Sequence, residues 1–307
     1  MKKIYITGLA GMLGSNLAFL LRDEYLVYGV DLIKVKMPEV EAYVYDILDE
    51  DNVREQLLRI KPDVLIHTVA AVNVDLCEKQ KDFAKQLNER STDIVAKVCH
   101  EIGTKVIYIS TDAVFDPVHP RLSQESDEVN PKNEYAKTKL AGEKYVLQYP
   151  ENLVLRTNIY GFNVQNKNSF GEWVLSSLLK GETLKMFDDI YFSPILVNDL
   201  AMVIKQCIQN DLCGLYHACG TGAVNKYEFG IMLKEEFQIT TGAIVRTSSD
   251  TFSFQAPRSK YMGMSNEKLK NALGIKIRTP KESIAYFKEL YDCNYQKVLK
   301  EFGGITE

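Results

Sequence analysis

The stretch "YITGLAGMLGSNLA", Tyr5 to Ala18, follows Met1-Lys2-Lys3 and admits two readings. Lysines ahead of an apolar run look like a secretory leader. Three glycines, Gly8, Gly11 and Gly14, behind a short apolar strand instead make a phosphate-binding turn. The leader reading fails on the residues themselves. Polar Thr7, Ser15 and Asn16 break the apolar run, and no small-residue cleavage site precedes Arg22-Asp23. "KKIYITG" has the β-branched and aromatic residues of a buried strand that ends in glycine. "SNLAFLLRDEY" carries Leu17, Leu20 and Leu21 at helical spacing. Strand, glycine turn and helix are the context of a dinucleotide fingerprint, here spaced G-x-x-G-x-x-G. Gly8 allows the sharp turn, Gly11 removes a side chain where a pyrophosphate approaches, and Gly14 lets helix and strand pack closely. The helix N-terminus then favours the anion.

The following segments extend this pattern. "YLVYGVD" is a second strand ending in Asp31, 17 residues after Gly14. A carboxylate there accepts the ribose hydroxyls of NAD and repels a 2′-phosphate. Lys34 and Lys36 lie close by and argue the other way, so NAD(H) is expected with only a slight preference over NADP(H). "YVYDILD" places Asp46 after a third strand, where it can bond the adenine amino group. "PDVLIHTVAA" and "TKVIYISTD" are the fourth and fifth strands, with helical patterns at about 51–60 and 80–102. This alternation predicts an α/β fold, a doubly wound parallel sheet of Rossmann type with ligands at the carboxyl ends of its strands. Met12 and Leu13 inside the turn, Ile47 beside Asp46, and Ala70 after the fourth strand complete the expected cofactor contacts.

Composition excludes several classes. The 307 residues are 46% hydrophobic and 25% charged with a net charge of −4, as in an ordinary globular protein. That balance gives no electrostatic case for nucleic acid or an anionic membrane. No stretch is apolar enough for a membrane span. The six cysteines form no C-x-x-C pair and the four histidines are scattered, so no metal is expected. A cytoplasmic location and reduced thiols follow as expectations.

The fifth strand ends in "ISTDAVFD", and "NEYAKTKLAGEKYV" begins a helix soon after. Tyr135 and Lys139 are four apart and share one helix face. A phenol is a weak acid near pKa 10, and a neighbouring cation lowers that value. Tyr135 is then a proton donor to a carbonyl oxygen. Lys139 is its electrostatic partner and a ligand for the nicotinamide ribose, and Thr111 hydrogen-bonds the same carbonyl oxygen.

The set "TGLAGMLG", "STDAVFD" and "YAKTK", in this order, resembles the extended short-chain dehydrogenase/reductases. "NPKNEYAKTKLAGE", "LRTNIYG", "DDIYFSPILVNDLA" and "GLYHACGTGAVNKYEF" narrow the resemblance to the dTDP-4-dehydrorhamnose reductase group, over nearly the whole chain. The resemblance implies that Thr111, Tyr135 and Lys139 are catalytic and that Gly8, Gly11 and Gly14 form the pyrophosphate turn. It also implies reduction of the C4 ketone of a nucleotide-linked 6-deoxy-hexose. Three departures stand out. Ala136 replaces a common Gly, "FDPVHPR" replaces a glycine-containing segment, and "QAPRSKYMGMSNEKL" matches the late substrate segment only loosely.

Residues 1–160 read as the dinucleotide-binding domain and 161–307 as mainly a substrate lobe, with about 190–220 returning to the sheet. Trp173, Leu175, Leu178 and Leu179 are expected inward. In the cleft between lobes, Arg258 is placed to clamp a diphosphate, with Asn158 and Ser193 as further substrate contacts. Asn88 either holds a structural water or sits on a helix surface. The expected partner is a nucleotide-diphosphate sugar; a homodimer stays open. Two alternatives differ in what they need. A dehydratase or epimerase needs a further acid and base, and Thr111 is followed by Asp112-Ala113 rather than an Asp-Glu pair. A non-catalytic subunit, like the regulatory subunit of methionine adenosyltransferase, needs no intact Thr/Tyr/Lys set.

Overall fold

A computed structural model describes residues 1–304. Seven parallel strands form the central sheet: β1 (Lys3–Thr7), β2 (Leu26–Asp31), β3 (Val40–Val44), β4 (Val64–His67), β5 (Lys105–Thr111), β6 (Leu153–Thr157) and β7 (Gly214–His217). Their spatial order is β7-β6-β5-β4-β1-β2-β3. The order reverses between β1 and β4, so a crevice opens there at the carboxyl ends, the usual ligand position in a doubly wound sheet.

Residues alternate between the two faces of each strand. Ile4 and Ile6 pack with Leu13, Leu17 and Leu21 of α1 (Met12–Leu21), and with Leu200, Ile204 and Ile208 of the helix Val197–Gln209. Tyr5, between them, faces the opposite layer. There Val53, Leu57 and Ile60 of α2 (Glu50–Ile60) meet Val95 and Cys99 of α3 (Ser91–Ile102) and Val146 of α4 (Glu134–Leu147). Both faces of the sheet are covered, so its central strands are mainly apolar, whereas the edge strand β3 carries Glu41 and is partly exposed. The segment Val197–His217 joins the sheet layers from the second half of the chain: β7 pairs with β6, and the helix before it packs on α1.

Local chemistry starts the helices. Asp49 accepts from the Asn52 backbone N–H at the head of α2. Asn133 does the same for Ala136 at the head of α4, at 2.9 Å. At α1 the N-cap is Gly11, with no side-chain cap. The first-turn N–H groups there are left to another acceptor.

The rest of the second half is built on small sheets. Thr183–Phe187 pairs in parallel with Ala243–Thr247, and Tyr191–Phe192 lies between Val224–Asn225 and Tyr261–Met262. The helix Phe170–Leu179 buries Val174, Leu175 and Leu178. Trp173 and Leu179 are exposed instead, at 40% and 50%. Their expected inward placement was off by one helical position, because Gly171 and Val174 set the packed face against Tyr160 and its neighbours.

Candidate active site

A cavity of about 760 Å³ runs from the glycine turn, past the end of β5, to the loop holding Arg258. Gly8, Gly11, Met12, Leu13, Asp31, Asp46, Ile47 and Ala70 line one end. Thr111, Tyr135, Lys139 and Asn158 line the middle, and Arg258 lines the far end. Gly14 and Ser193 do not.

The turn is shaped for close approach. Gly8 has φ +74°, and a Cβ on it would sit 2.7 Å from Thr68 Oγ1. A Cβ on Gly14 would meet the Gly8 carbonyl oxygen at 2.1 Å. Gly14 therefore serves the packing of α1 onto β1 rather than the cavity surface. With α1 uncapped and no side chain on Gly8 or Gly11, the first-turn N–H groups and the helix dipole are left open at this end of the cavity, and a diphosphate fits them. Asp31 closes this end. Its Oδ2 accepts from the Ala10 N–H at 2.9 Å and its Oδ1 from the Ile33 N–H at 3.0 Å. The carboxylate is thus fixed in place, whereas Lys34 and Lys36 are exposed.

At the centre, Thr111 is buried at the end of β5, and its Oγ1 accepts from the Ala113 N–H at 3.1 Å. Tyr135 and Lys139 project from α4 on one face, as their spacing requires. Lys139 is 2% exposed. Its Nζ donates to the Ile109 carbonyl oxygen at 2.7 Å and lies 4.1 Å from the centre of the Tyr108 ring. Burial pulls the Lys139 amine down to about 7, with Glu143 opposing the fall. Burial pushes the Tyr135 phenol up to about 12; the Thr111 hydroxyl draws it back and Asp112 adds to the rise. This reverses the expected direction for Tyr135. The Lys139 ammonium is turned toward Ile109 and Tyr108, so desolvation outweighs its pull on the phenol.

Other expectations resolve differently. Asn158 faces the cavity and donates to Asp112 Oδ2 at 2.6 Å. Arg258 pairs with Asp75 at 2.9 Å, and its buried Nη1 has no partner in the structure. Ser193, expected as a substrate contact, is fully buried behind the cavity. It accepts from the Met264 N–H at 3.0 Å and donates to the Met264 carbonyl at 3.3 Å. It ties two loops together and does not reach a ligand. Asn88 is no surface amide: its Oδ1 accepts from the Ala71 N–H at 2.7 Å and its Nδ2 donates to Thr138 Oγ1 at 3.1 Å. It links the loop after β4 to α4 directly.

Residues 163–169 carry no site expectation from the sequence, yet Asn163, Gln165 and Lys167 line the cavity. Gln165 Nε2 donates to the Ala10 carbonyl at 2.8 Å, joining this loop to the glycine turn. The loop has no periodicity to betray it. Asp112 and Lys226 were also passed over as site residues. Among the described residues no cluster is placed to hold a metal ion, and no helix is long and apolar enough to cross a membrane.

Residues 1–292 match the model of the RmlD substrate binding domain. The chain belongs to this family. As an RmlD-family member it is an extended short-chain dehydrogenase/reductase, an NAD(P)-dependent oxidoreductase with a nicotinamide cofactor. It is 29% identical to the spore coat polysaccharide biosynthesis protein SpsK of Bacillus subtilis strain 168, over 92% of this chain and 96% of that protein. It is 31% identical to the dTDP-4-dehydrorhamnose reductase of Escherichia coli K12, over 63% of this chain and 66% of that enzyme. It is also 30% identical to methionine adenosyltransferase 2 subunit beta of Rattus norvegicus, over 91% and 84%. Among solved structures, the dTDP-4-dehydrorhamnose reductase of Bacillus anthracis strain Ames in complex with NADP superimposes with a TM-score of 0.84. That alignment is 27% identical and covers 94% of this chain and 99% of that one.

Proposed function

We propose that this RmlD-family chain reduces the 4-keto group of a nucleotide-linked 6-deoxy sugar, in nucleotide-sugar biosynthesis. The observation that carries the reading is a single cavity that joins the glycine turn, the Thr111/Tyr135/Lys139 set and the Arg258 loop. When bound, the nicotinamide supplies the hydride that goes to the keto carbon. The chain's own groups do the rest. The π pair of the C=O bond moves onto oxygen, and Tyr135 gives that oxygen its proton. A phenol raised to about 12 keeps its proton at neutral pH. It yields the proton only to an oxygen becoming strongly basic, which is the situation as hydride arrives. Thr111 orients the oxygen, and Lys139, one turn further along α4, holds the nicotinamide ribose. Arg258, at the far end of the cavity and held there by Asp75, is the cation placed for the diphosphate, and Asn158 is placed for the sugar.

Residues 1–160, joined by Val197–His217, act as the cofactor half, and most of 161–307 as the substrate lobe. NADH is favoured slightly over NADPH, since Asp31 is held at the ribose end by two backbone N–H groups and cannot swing clear of a 2′-phosphate. Oxidation of NADH and NADPH with a panel of nucleotide 4-keto-6-deoxy sugars tests both points. The expected result is turnover with at least one sugar and a kcat/KM favouring NADH by a few-fold. A clear NADPH preference means Lys34 or Lys36 captures the phosphate.

The likeness to methionine adenosyltransferase 2 subunit beta favours a second reading, a partner subunit. The sequence retains every group that the chemistry needs, which supports the enzyme. A chain inert toward the whole panel yet binding cofactor would favour the subunit.

A further inference from the structure

Thr111 has one hydroxyl proton and competing uses for it. In the structure it donates to Asp112 Oδ1, at 3.2 Å. A hydroxyl spent in that way cannot also donate to a substrate carbonyl oxygen. The competitor is itself constrained. Asp112 is 3% exposed, and its Oδ2 accepts the Asn158 amide at 2.6 Å. An oxygen receiving an N–H is the poorer place for a proton, so a proton on Asp112 belongs on Oδ1, beside Thr111.

We propose that Asp112 is a positioning residue whose protonation aims the Thr111 hydroxyl. With Oδ1 protonated, Asp112 donates to Thr111 Oγ1, and Thr111 donates to the keto oxygen. With Asp112 ionised, Thr111 turns back to Asp112 and the keto oxygen loses a donor. Asp112 gives up no proton in the reaction; hydride and proton come from nicotinamide and Tyr135, as above. This role rests on the ketone-reductase reading and deepens it.

The groups facing Asp112 set its charge. Burial pushes its carboxyl up to about 6, while Asn158, Lys226 and Thr111 favour ionisation. Tyr135 on α4 and Cys219 after β7 also feel its charge. Lys226 is the cation among them. It stands at the first position of the helix Lys226–Glu236, where a positive charge opposes the helix dipole. Its Nζ lies 3.3 Å from the Phe192 ring centre and 4.2 Å from that of Phe170, which lines the cavity. The substrate lobe thereby bears on the proton of a residue in the cofactor half.

The test is the pH profile of kcat in the intact chain and two variants. In the parent, kcat falls about tenfold to a lower plateau as pH rises through about 6, the loss expected for one hydrogen bond to the keto oxygen. Asp112→Asn fixes the donor state: Asn158 holds the amide oxygen, so the NH₂ faces Thr111. Its turnover drops by less than tenfold at low pH, and the fall near 6 disappears. Lys226→Met keeps the stem between the two rings and removes the cation, so the fall moves up by roughly one pH unit. A fall near 6 that persists in Asp112→Asn, or that stays in place in Lys226→Met, overturns the role of Asp112 alone. Absence of turnover in the parent overturns the reductase reading and this role with it.

Discussion

The two ends of the cavity are made differently. The end we assign to the cofactor is made of strand ends and backbone: a glycine turn, an uncapped helix, and Asp31 pinned by two N–H groups. The end we assign to the sugar is made of side chains drawn from distant loops: Arg258 paired to Asp75, and Lys226 between two phenylalanines. A backbone site is fixed once the fold forms. A side-chain site depends on which residues the loops bring, and specificity varies there.

Substitutions at the junction of the two ends have the largest expected effect. Tyr135→Phe removes the proton and leaves the ring. Turnover should fall at least about a hundredfold, while the cofactor Kd, read by fluorescence titration, stays within about twofold. A Kd that collapses with turnover would make Tyr135 part of the cofactor end only.

Lys139→Met comes next. In the parent the amine is charged below about 7 and loses its charge as pH rises through that value. Cofactor affinity should weaken over the same interval, because the neutral amine bonds the ribose less well. In the Met variant affinity should be about tenfold weaker and flat with pH. Lys139→Arg should recover it only in part, since the planar guanidinium does not fit where a compact ammonium donates to Ile109. An unchanged profile in the Met variant would remove Lys139 from the cofactor.

Ser193→Ala probes the sugar end with the smallest effect. Two hydrogen bonds to Met264 are lost in a buried place, which should cost about 1–2 kcal/mol in denaturant unfolding. The sugar KM should stay within about twofold. A large rise in KM at unchanged stability would return Ser193 to the substrate.

The cofactor end was legible for the same reason that it is generic. β1, α1 and β2 each advertise themselves by period or by glycine, with Gly8 after β1 and Asp31 ending β2, while Thr111 ends β5 and Tyr135 and Lys139 share a face of α4. Position, however, does not give electrostatics. The four-residue spacing put Lys139 on the face of Tyr135, but which way its ammonium turns depends on Ile109 and Tyr108, from another element. Hence the Tyr135 phenol is raised where a lowering was expected. The sugar end was read poorly because its contacts are long-range. "YFSPIL" does not reveal that Ser193 meets Met264, 71 residues on. Nor does "VNKYEF" reveal that Lys226 lies between Phe170 and Phe192, where its charge is felt at Asp112.

Hydride transfer to a sugar ketone is read most plainly by following an isotopic label. The chain is incubated with NADH deuterated at the transferring position and with a nucleotide 4-keto-6-deoxy sugar, and the sugar is analysed by mass spectrometry and NMR. One deuterium is expected on the former keto carbon, with none transferred by Tyr135→Phe above about a hundredth of the parent rate. A parent protein that binds the cofactor but moves no deuterium to any sugar of the panel would contradict the reductase reading.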